Sequence, residues 1–281
     1  MNSNEVLYND ISLKCSKEIT KRYSTSFYSS INLLHKSLHQ DIFNIYGFVR
    51  LADEIVDTFH NFNKISLFSD FKVQTYQAID LGISLNPVLQ SFQLTVHQHK
   101  IPIEFINAFL HSMELDLTKE TYSDEEYKAY IYGSAEVVGL MCLKVFCEGD
   151  EKLFSELVYP AKMLGAAFQK INFLRDIKAD AESLGRMYFP NCDFNNFSNA
   201  DKIEIEKDIE SDFEKAFTGI KKLNYKSKFG VYVSYLYYYS LFKKIKSLPA
   251  SKIVTTRIRN SDFKKAIIFS QAYINSKFNL V

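Results

Sequence analysis

Residues 165–190 read GAAFQKINFLRDIKADAESLGRMYFP, and the direction in which the acids of this stretch point decides how the rest is arranged. Each residue of a helix turns about 100°, so Gln169, Asn172, Asp176 and Asp180 fall on one stripe. Phe168, Ile171, Phe173, Leu174 and Ile177 occupy nearly all the other directions. Such a helix has no wet side, and its acids are expected to point inward. Buried carboxylates are costly unless they are paired, hydrogen-bonded or bound to metal. A row of Asn and Asp oxygens at one-turn spacing is a set of hard ligands suited to Mg²⁺, or to Mn²⁺ in its place. Taken alone, though, a single D-x-x-x-D reads as a solvated face with Arg175 and Lys178 as partners.

A second such pair lies in DIFNIYGFVRLADEIVDTF, residues 41–59, inside a helix expected over 39–60. Ile45, Phe48, Val49, Ala52, Ile55, Val56 and Phe59 form one apolar face, and Tyr46, Arg50, Asp53 and Asp57 form a separate stripe. On its own this is an ordinary amphipathic helix with an Arg50–Asp53 pair. The two motifs together say more. Each has Asp at i and i+4 with an Arg close by, so antiparallel packing across a cavity would set two acidic rows face to face. Facing acids need divalent cations, and the cations favour anionic oxygens such as those of a diphosphate. A metal–diphosphate site is the expectation.

Composition narrows the class. The 281 residues carry 34 Lys plus Arg against 33 Asp plus Glu, a net charge of +1, which argues against a nucleic-acid footprint. With 24 Phe, 18 Tyr, no Trp, five Pro and nine Gly, there is too little turn chemistry for a β-sandwich and no Gly-rich nucleotide loop, so an all-α protein is expected. The length admits one large domain or two. Cys15, Cys142, Cys147 and Cys192 lack C-x-x-C spacing and read as reduced structural thiols. The first residues, MNSNEVLYNDISLKC, contain an early acid and no apolar core, so no signal peptide is read. No run of about 18 apolar residues is found, which reads against a membrane span. A cytoplasmic protein that can rest peripherally on a membrane surface is expected.

Residues 9–22 read as a short helix leading into a hydroxyl-rich turn, Tyr23-Ser24-Thr25-Ser26-Phe27. Helices are expected over 62–82, 88–99 and 102–117, broken at Asn86-Pro87 and Ile101-Pro102. Glu114 and Asp116, at the end of the last of these, read as capping or surface residues. Ser123 and Glu126 form a capping box for a helix through DEEYKAYIYGSAEVVGLMCLKVF, in which Tyr130, Ser134, Val137, Val138 and Met141 share a face. Gly133 and Gly139 inside it cost about 0.8–1 kcal/mol each relative to Ala, which points to close packing or to room for a ligand. Residues 183–202 lose periodicity and read as a lid or as a plain connector. Helical spacing returns over 200–222 and 228–247, where the Tyr stripe reads as core. Arg257 and Arg259 precede a last helix and are candidates for diphosphate contacts or for surface charge.

The stretches STSFY (24–28), IYGFVRLADEIVD (45–57) and QKINFLRDIKADAESLGRMYFP (169–190) resemble the squalene and phytoene synthase family, in the family's order and spacing. These are head-to-head prenyl transferases of the isoprenoid-synthase helical fold, and the chain is most like the bacterial phytoene synthases. The resemblance implies one all-helical domain over residues 1–281 around a central cavity. It implies Asp53 and Asp57 on one wall and Asn172, Asp176 and Asp180 on the other, as ligands of Mg²⁺ ions that grip prenyl diphosphates. Arg50 and Tyr130 join the four aspartates as catalytic candidates. Tyr23, Ser24, Thr25, Ser26, Tyr46, Gln169, Arg175, Arg186, Tyr188 and Tyr238 lie where the family meets substrate, although Tyr237 and Tyr239 adjoin the last of these. Two departures stand out. Asp53-Glu54 replaces the family's Asp-Asp, and Ala135-Glu136-Val137 replaces Ala-Gly-Thr, which alters the cavity and with it the chain-length preference.

The implied reaction ionises one prenyl diphosphate to an allylic cation. The second substrate's double bond attacks it, and proton loss closes a cyclopropylcarbinyl diphosphate. A second ionisation and rearrangement then join the two chains. The chain's end, AYINSKFNLV (272–281), shows no membrane anchor, and no dinucleotide fingerprint is found. The favoured expectation is therefore phytoene synthesis from two geranylgeranyl diphosphates without NADPH, in carotenoid biosynthesis. The alternatives are a dehydrosqualene or squalene synthase using farnesyl diphosphate, and an inactive member acting as a helical scaffold. Retention of all four outer aspartates speaks against the scaffold. Phe27, Val137 and Phe168 are expected to set the cavity's depth.

Overall fold

Helix boundaries fall where side chains can take up orphan backbone groups. The computed structural model describes residues 3–277. Residues 1–2 and 278–281, on which the N-terminal and anchor expectations partly rest, lie outside the described residues. In chain order the helices are α1 (Ser3–Tyr23), α2 (Thr25–Ile31), α3 (Lys36–Asp57), α4 (Lys64–Leu81), α5 (Pro87–His99), α6 (Ile103–Leu115) and α7 (Asp124–Ile131). A π-helical turn (Tyr132–Glu136) leads into α8 (Val137–Cys147). Then come α9 (Glu151–Leu184), a short 3₁₀ turn (Phe194–Asn196), α10 (Asn199–Ile220), α11 (Tyr225–Lys246), α12 (Ala250–Ile253) and α13 (Asp262–Lys277). The described residues form no strand, only an isolated bridge between Thr121 and Met187.

Several ends are written in local chemistry. Asn86 caps α5, with Pro87 at its first turn, where a missing N–H costs nothing. The Ser123–Glu126 capping box opens α7 as expected. Gly185, at φ 67°, closes α9 in the left-handed conformation that favours glycine. The hydroxyl-rich stretch differs from expectation. Only Ser24 leaves the helical path, and its Oγ accepts from the Phe27 N–H at 3.3 Å, so the segment is a helix start rather than an open turn.

The π turn produces a second difference. One extra residue in a turn rotates everything after it by about one residue position. Tyr130, Ser134 and Val138 face the cavity as expected, but beyond the turn Cys142 lines it in place of Met141, and Val137 does not line it. Val137 and Met141 are fully buried in the core instead. Gly133 is a packing glycine: a Cβ there would run into Ser112 and the Ala108 carbonyl. By length and hydropathy the continuous stretch Asp124–Cys147 is apolar enough to cross a bilayer, which corrects the expectation that no such stretch exists; a little over half of its most apolar window, 56%, is buried inside the protein.

Two apolar clusters flank the central cavity. In one, Phe48 of α3 stacks on Phe92 of α5 at 3.9 Å, with Phe71 and Phe109 around the pair. In the other, Ile171, Leu174 and Ile177 of α9 pack with Phe213, Val233 and Phe242 from α10 and α11. Each fully buried side chain of this size contributes about 1.5–3 kcal/mol relative to an exposed one. The helix α9 is thus core on one side and cavity wall on the other.

Candidate active site

The cavity has a volume of about 500 Å³ and two chemically distinct ends. At its mouth, α3 presents Tyr46, Arg50, Asp53 and Asp57, and α9 presents Gln169, Asn172, Arg175, Asp176 and Asp180. The two sequence stripes therefore face the same space. Deeper in, the lining is apolar, with Leu143, Phe146, Leu157, Ala161, Ala216 and Ile220. Between the two zones Phe168 stacks on Tyr238 at 3.9 Å, and Phe27 lies 5.4 Å from Tyr46. Phe27 and Phe168 line the cavity as expected, while Val137 does not.

Guanidinium groups hold the acids of the mouth. Arg50 pairs with Asp53 at 2.7 Å and with the buried Glu54, so the residue that replaces the family's second Asp turns onto the arginine. Arg186 is buried behind the mouth and pairs with Asp57 at 2.8 Å. Arg175 and Arg257 both bind Asp176, at 2.5 and 2.6 Å. Among the described residues, Asp180 has no side-chain hydrogen bond or ion pair. Burial, then the neighbouring charges of Asp176 and Asp57, push its carboxyl up to about 8. Burial and Asp57 push Asp53 up to about 6, against the pull of Arg50.

These donors fit a divalent cation of a particular kind. Among the described residues no three His, Cys, Asp or Glu side chains converge into a ready-made cage. Mg²⁺ does not require one, since it keeps waters and commonly takes one or two carboxylates together with substrate phosphates. Asp180, half-buried and in no direct ion pair among the described residues, supplies the electrostatic demand, since burial and the charges of Asp176 and Asp57 outweigh the pull of Arg186 and Arg175. Asp53, Asp57, Asn172 and Asp176 supply further oxygens around the same opening. The Nε of Arg50 is buried with no acceptor among the described residues, which leaves one donor for an anion.

The remaining candidates divide between wall and rim. Tyr238 lines the cavity, and its hydroxyl donates to Asn172 at 3.3 Å, which distinguishes it from Tyr237 and Tyr239. Gln169 donates to Ser134 at 3.3 Å. Tyr23 is exposed, with the Arg50 guanidinium 4.7 Å above its ring. Ser24 caps α2, and none of Ser24, Thr25 and Ser26 lines the cavity. From that helix the wall takes Phe27, Ser30 and Ile31 instead. Arg259 has its carbonyl tied to Lys244 and is not on the wall, unlike Arg257.

Asp116 was expected at a cap or surface, yet it is buried and lines the cavity. Tyr130 donates to it at 2.6 Å, Tyr122 and Tyr188 at 3.4 Å, and Arg186 donates to its backbone carbonyl at 2.5 Å. Burial raises its carboxyl to about 7, against the pull of Arg186. An acid flanked by leucines in MELDL was the available signal. The segment after Gly185 is no loose lid either. Met187, Tyr188 and Phe189 are buried, Tyr188 stacks on Phe173 at 4.0 Å, and the Met187 N–H donates to the Glu120 carbonyl at 2.9 Å. Arg186 and Tyr188 are thereby fixed against Asp57 and Asp116.

Comparison with known proteins places this geometry. The family model described as squalene/phytoene synthase matches residues 20–263. A chloroplastic phytoene synthase 3 from Zea mays is 27% identical over 277 residues, covering 92% of this chain and 65% of the maize protein. A 4,4'-diapophytoene synthase from Staphylococcus haemolyticus is 26% identical over 197 residues, 69% of this chain and 68% of that one. The chain thus spans about 65% of the length of the maize relative. The crystal structure of a dehydrosqualene synthase with ligand superposes with a TM-score of 0.80 at 20% identity, covering 96% of this chain and 98% of that one, so the fold is shared. With both aspartate motifs and the intervening helices inside the matched region, the chain belongs to the squalene/phytoene synthase family.

Proposed function

We propose that this chain is a Mg²⁺-dependent head-to-head prenyl transferase that joins two geranylgeranyl diphosphates to phytoene, without NADPH. The single observation that carries the proposal is the pair of aspartate rows facing each other at the mouth of a deep apolar cavity. Charge chemistry at one end and hydrocarbon space at the other match an amphiphile with a diphosphate head. Asp53, Asp57, Asn172, Asp176 and Asp180 would hold the cations, which when bound supply charge neutralisation to the departing diphosphate. Arg50, Arg175 and Arg257 would take its remaining oxygens.

The chain's own side chains do the rest. Phe27, Phe168 and Tyr238 separate the charged mouth from the prenyl tails and exclude water that would quench carbocations. Tyr130 is a neutral phenol, because burial and the adjacent Asp116 hold its pKa well above the usual value. It therefore donates to Asp116 rather than accepting a proton, and the released pyrophosphate is the proton acceptor in this scheme. Glu136, the acid unusual for the family, pairs with Lys162 at 3.0 Å while Ala135 lines the wall, so it brings no charge to the prenyl tails. A cytoplasmic enzyme that meets membranes peripherally to release its hydrocarbon product completes the proposal.

Farnesyl diphosphate is the second reading, favoured by the 4,4'-diapophytoene synthase relative at nearly the same identity as the phytoene synthase. Purified protein with Mg²⁺ and either substrate, with and without NADPH, followed by mass analysis of the hexane extract, separates the two. A forty-carbon product without NADPH is expected. A thirty-carbon product moves the assignment to the second reading, with NADPH dependence dividing squalene from dehydrosqualene. No product from either substrate overturns the enzymatic proposal and revives a scaffold role.

A further inference from the structure

Arg257 holds an unusual position. It belongs to the segment between α12 and α13, far along the chain from Asp176, yet its Nε reaches Asp176 Oδ1 at 2.6 Å and its Nη2 reaches Oδ2 at 3.2 Å. Asp176 is already bound by Arg175 through both oxygens, at 2.5–3.1 Å. Two guanidinium groups therefore share one carboxylate, while Asp180, one turn further along α9, has no ion pair among the described residues. The two arginines also differ in surroundings. Arg175 is mostly buried, with 22% of its side chain exposed, against 51% for Arg257.

The backbone around Arg257 is pinned. Ile258 is buried, the Asn260 side chain donates to the Tyr237 carbonyl at 3.0 Å, and Lys244 donates to the Arg259 carbonyl at 2.6 Å. The segment is thus fixed to α11 while the guanidinium itself stands at the solvent side of the mouth. A cation that takes Asp176 as a ligand must compete with this charge, because a carboxylate oxygen cannot serve a guanidinium N–H and a metal along the same lone pair. Once displaced, the guanidinium remains within a side chain's swing of any anion at the mouth.

We propose that Arg257 is an exchange gate on Asp176: it occupies the carboxylate when no cation is bound and moves to the diphosphate when one is. The inference rests on the metal–diphosphate reading of the mouth. Arg257 is then a positioning residue that makes cation and diphosphate binding depend on each other, since each ligand frees or occupies what the other needs. A cation arriving alone meets a carboxylate already neutralised, which keeps the site weakly loaded until substrate is present.

The test is Mn²⁺ titration of the whole protein, followed by electron paramagnetic resonance of the free ion, with and without inorganic pyrophosphate. Without pyrophosphate, Arg257→Gln is expected to bind Mn²⁺ about 5- to 10-fold more tightly than the parent, within the usual range of coupling between sites. The tightening brought by pyrophosphate should be smaller in the variant than in the parent, and Arg257→Lys should fall between the two. Arg259→Gln, on the same segment but off the wall, should match the parent. Equal or weaker Mn²⁺ binding by Arg257→Gln overturns the gate. Failure of the parent to bind Mn²⁺ even with pyrophosphate overturns instead the metal–diphosphate reading on which the gate rests.

Discussion

The mouth and the floor of the cavity are built by opposite means. At the mouth, charges are set at one-turn spacing on two helices and held by four arginines, Arg50, Arg175, Arg186 and Arg257. At the floor, Leu143, Leu157, Ala216 and Ile220 contribute only shape. The shape depends on backbones in contact. A Cβ on Gly165 would lie 2.7 Å from the Ala135 carbonyl in the π turn, and one on Gly219 would strike Pro160. The mouth should therefore govern whether chemistry happens, and the floor should govern on what.

The largest expected effect lies at the mouth. Asp53→Ala or Asp176→Ala should lower turnover by roughly 10³-fold, with the far-UV circular dichroism of the parent retained. Near-parental turnover in either variant would dissolve the distinction between the two ends. At the floor, Ala161→Leu should leave inhibition by pyrophosphate unchanged. It should lower the kcat/KM ratio of geranylgeranyl to farnesyl diphosphate by about 10- to 100-fold, the range for misfit of a few carbons in an apolar pocket. A variant that loses both substrates equally would show that floor and mouth are not separable.

A smaller effect is expected from the layer behind the mouth. Asp116→Asn removes the charge next to Arg186, which in turn holds Asp57. The Mg²⁺ concentration for half-maximal activity should rise by roughly 10-fold, as for other groups that orient ligands. No change would confine Asp116 to packing.

The last effect is on melting temperature rather than on turnover. Asp53, Asp116 and Asp180 sit at about 6, 7 and 8 in the folded protein, above the ordinary value of 3.8. As pH rises from about 4 to about 8, the unfolded chain gives up these protons first, so the folded state binds more protons and loses stability across that window. Cation-free protein should melt lower at pH 8 than at pH 5. Mg²⁺ with pyrophosphate should recover more of the loss at pH 8 than at pH 6, because the ligands are then ionised. A flat profile would mean that the acids of the mouth are already neutralised by their arginines.

The same contrast explains what could be read from the chain. The mouth was legible because chemistry at helical spacing is a one-dimensional signal: Asp53 and Asp57, or Asn172, Asp176 and Asp180, announce a shared face without any knowledge of neighbours. The all-helical class, the Ser123 capping box and the Pro87 helix start were local in the same sense. The floor was not legible. The expectation for Val137 and Met141 failed because a π turn five residues long shifted the register, and no residue type announces such a turn. Asp116 was misread because its partners Tyr122, Tyr130, Tyr188 and Arg186 come from elsewhere in the chain, and only folding brings them to it. The turn expected at residues 23–27 is a helix start through one N-cap, Ser24, whose hydroxyl takes up a backbone N–H.

On the proposed function the facing rows form one cation–diphosphate site. Crystals of the protein grown with Mn²⁺ and pyrophosphate, with anomalous diffraction recorded above the manganese edge, test it most directly. Manganese peaks are predicted between α3 and α9, within ligand distance of oxygens from Asp53 or Asp57 on one side and from Asn172, Asp176 or Asp180 on the other, with pyrophosphate bridging them. Pyrophosphate bound without manganese, or manganese away from both rows, would contradict it.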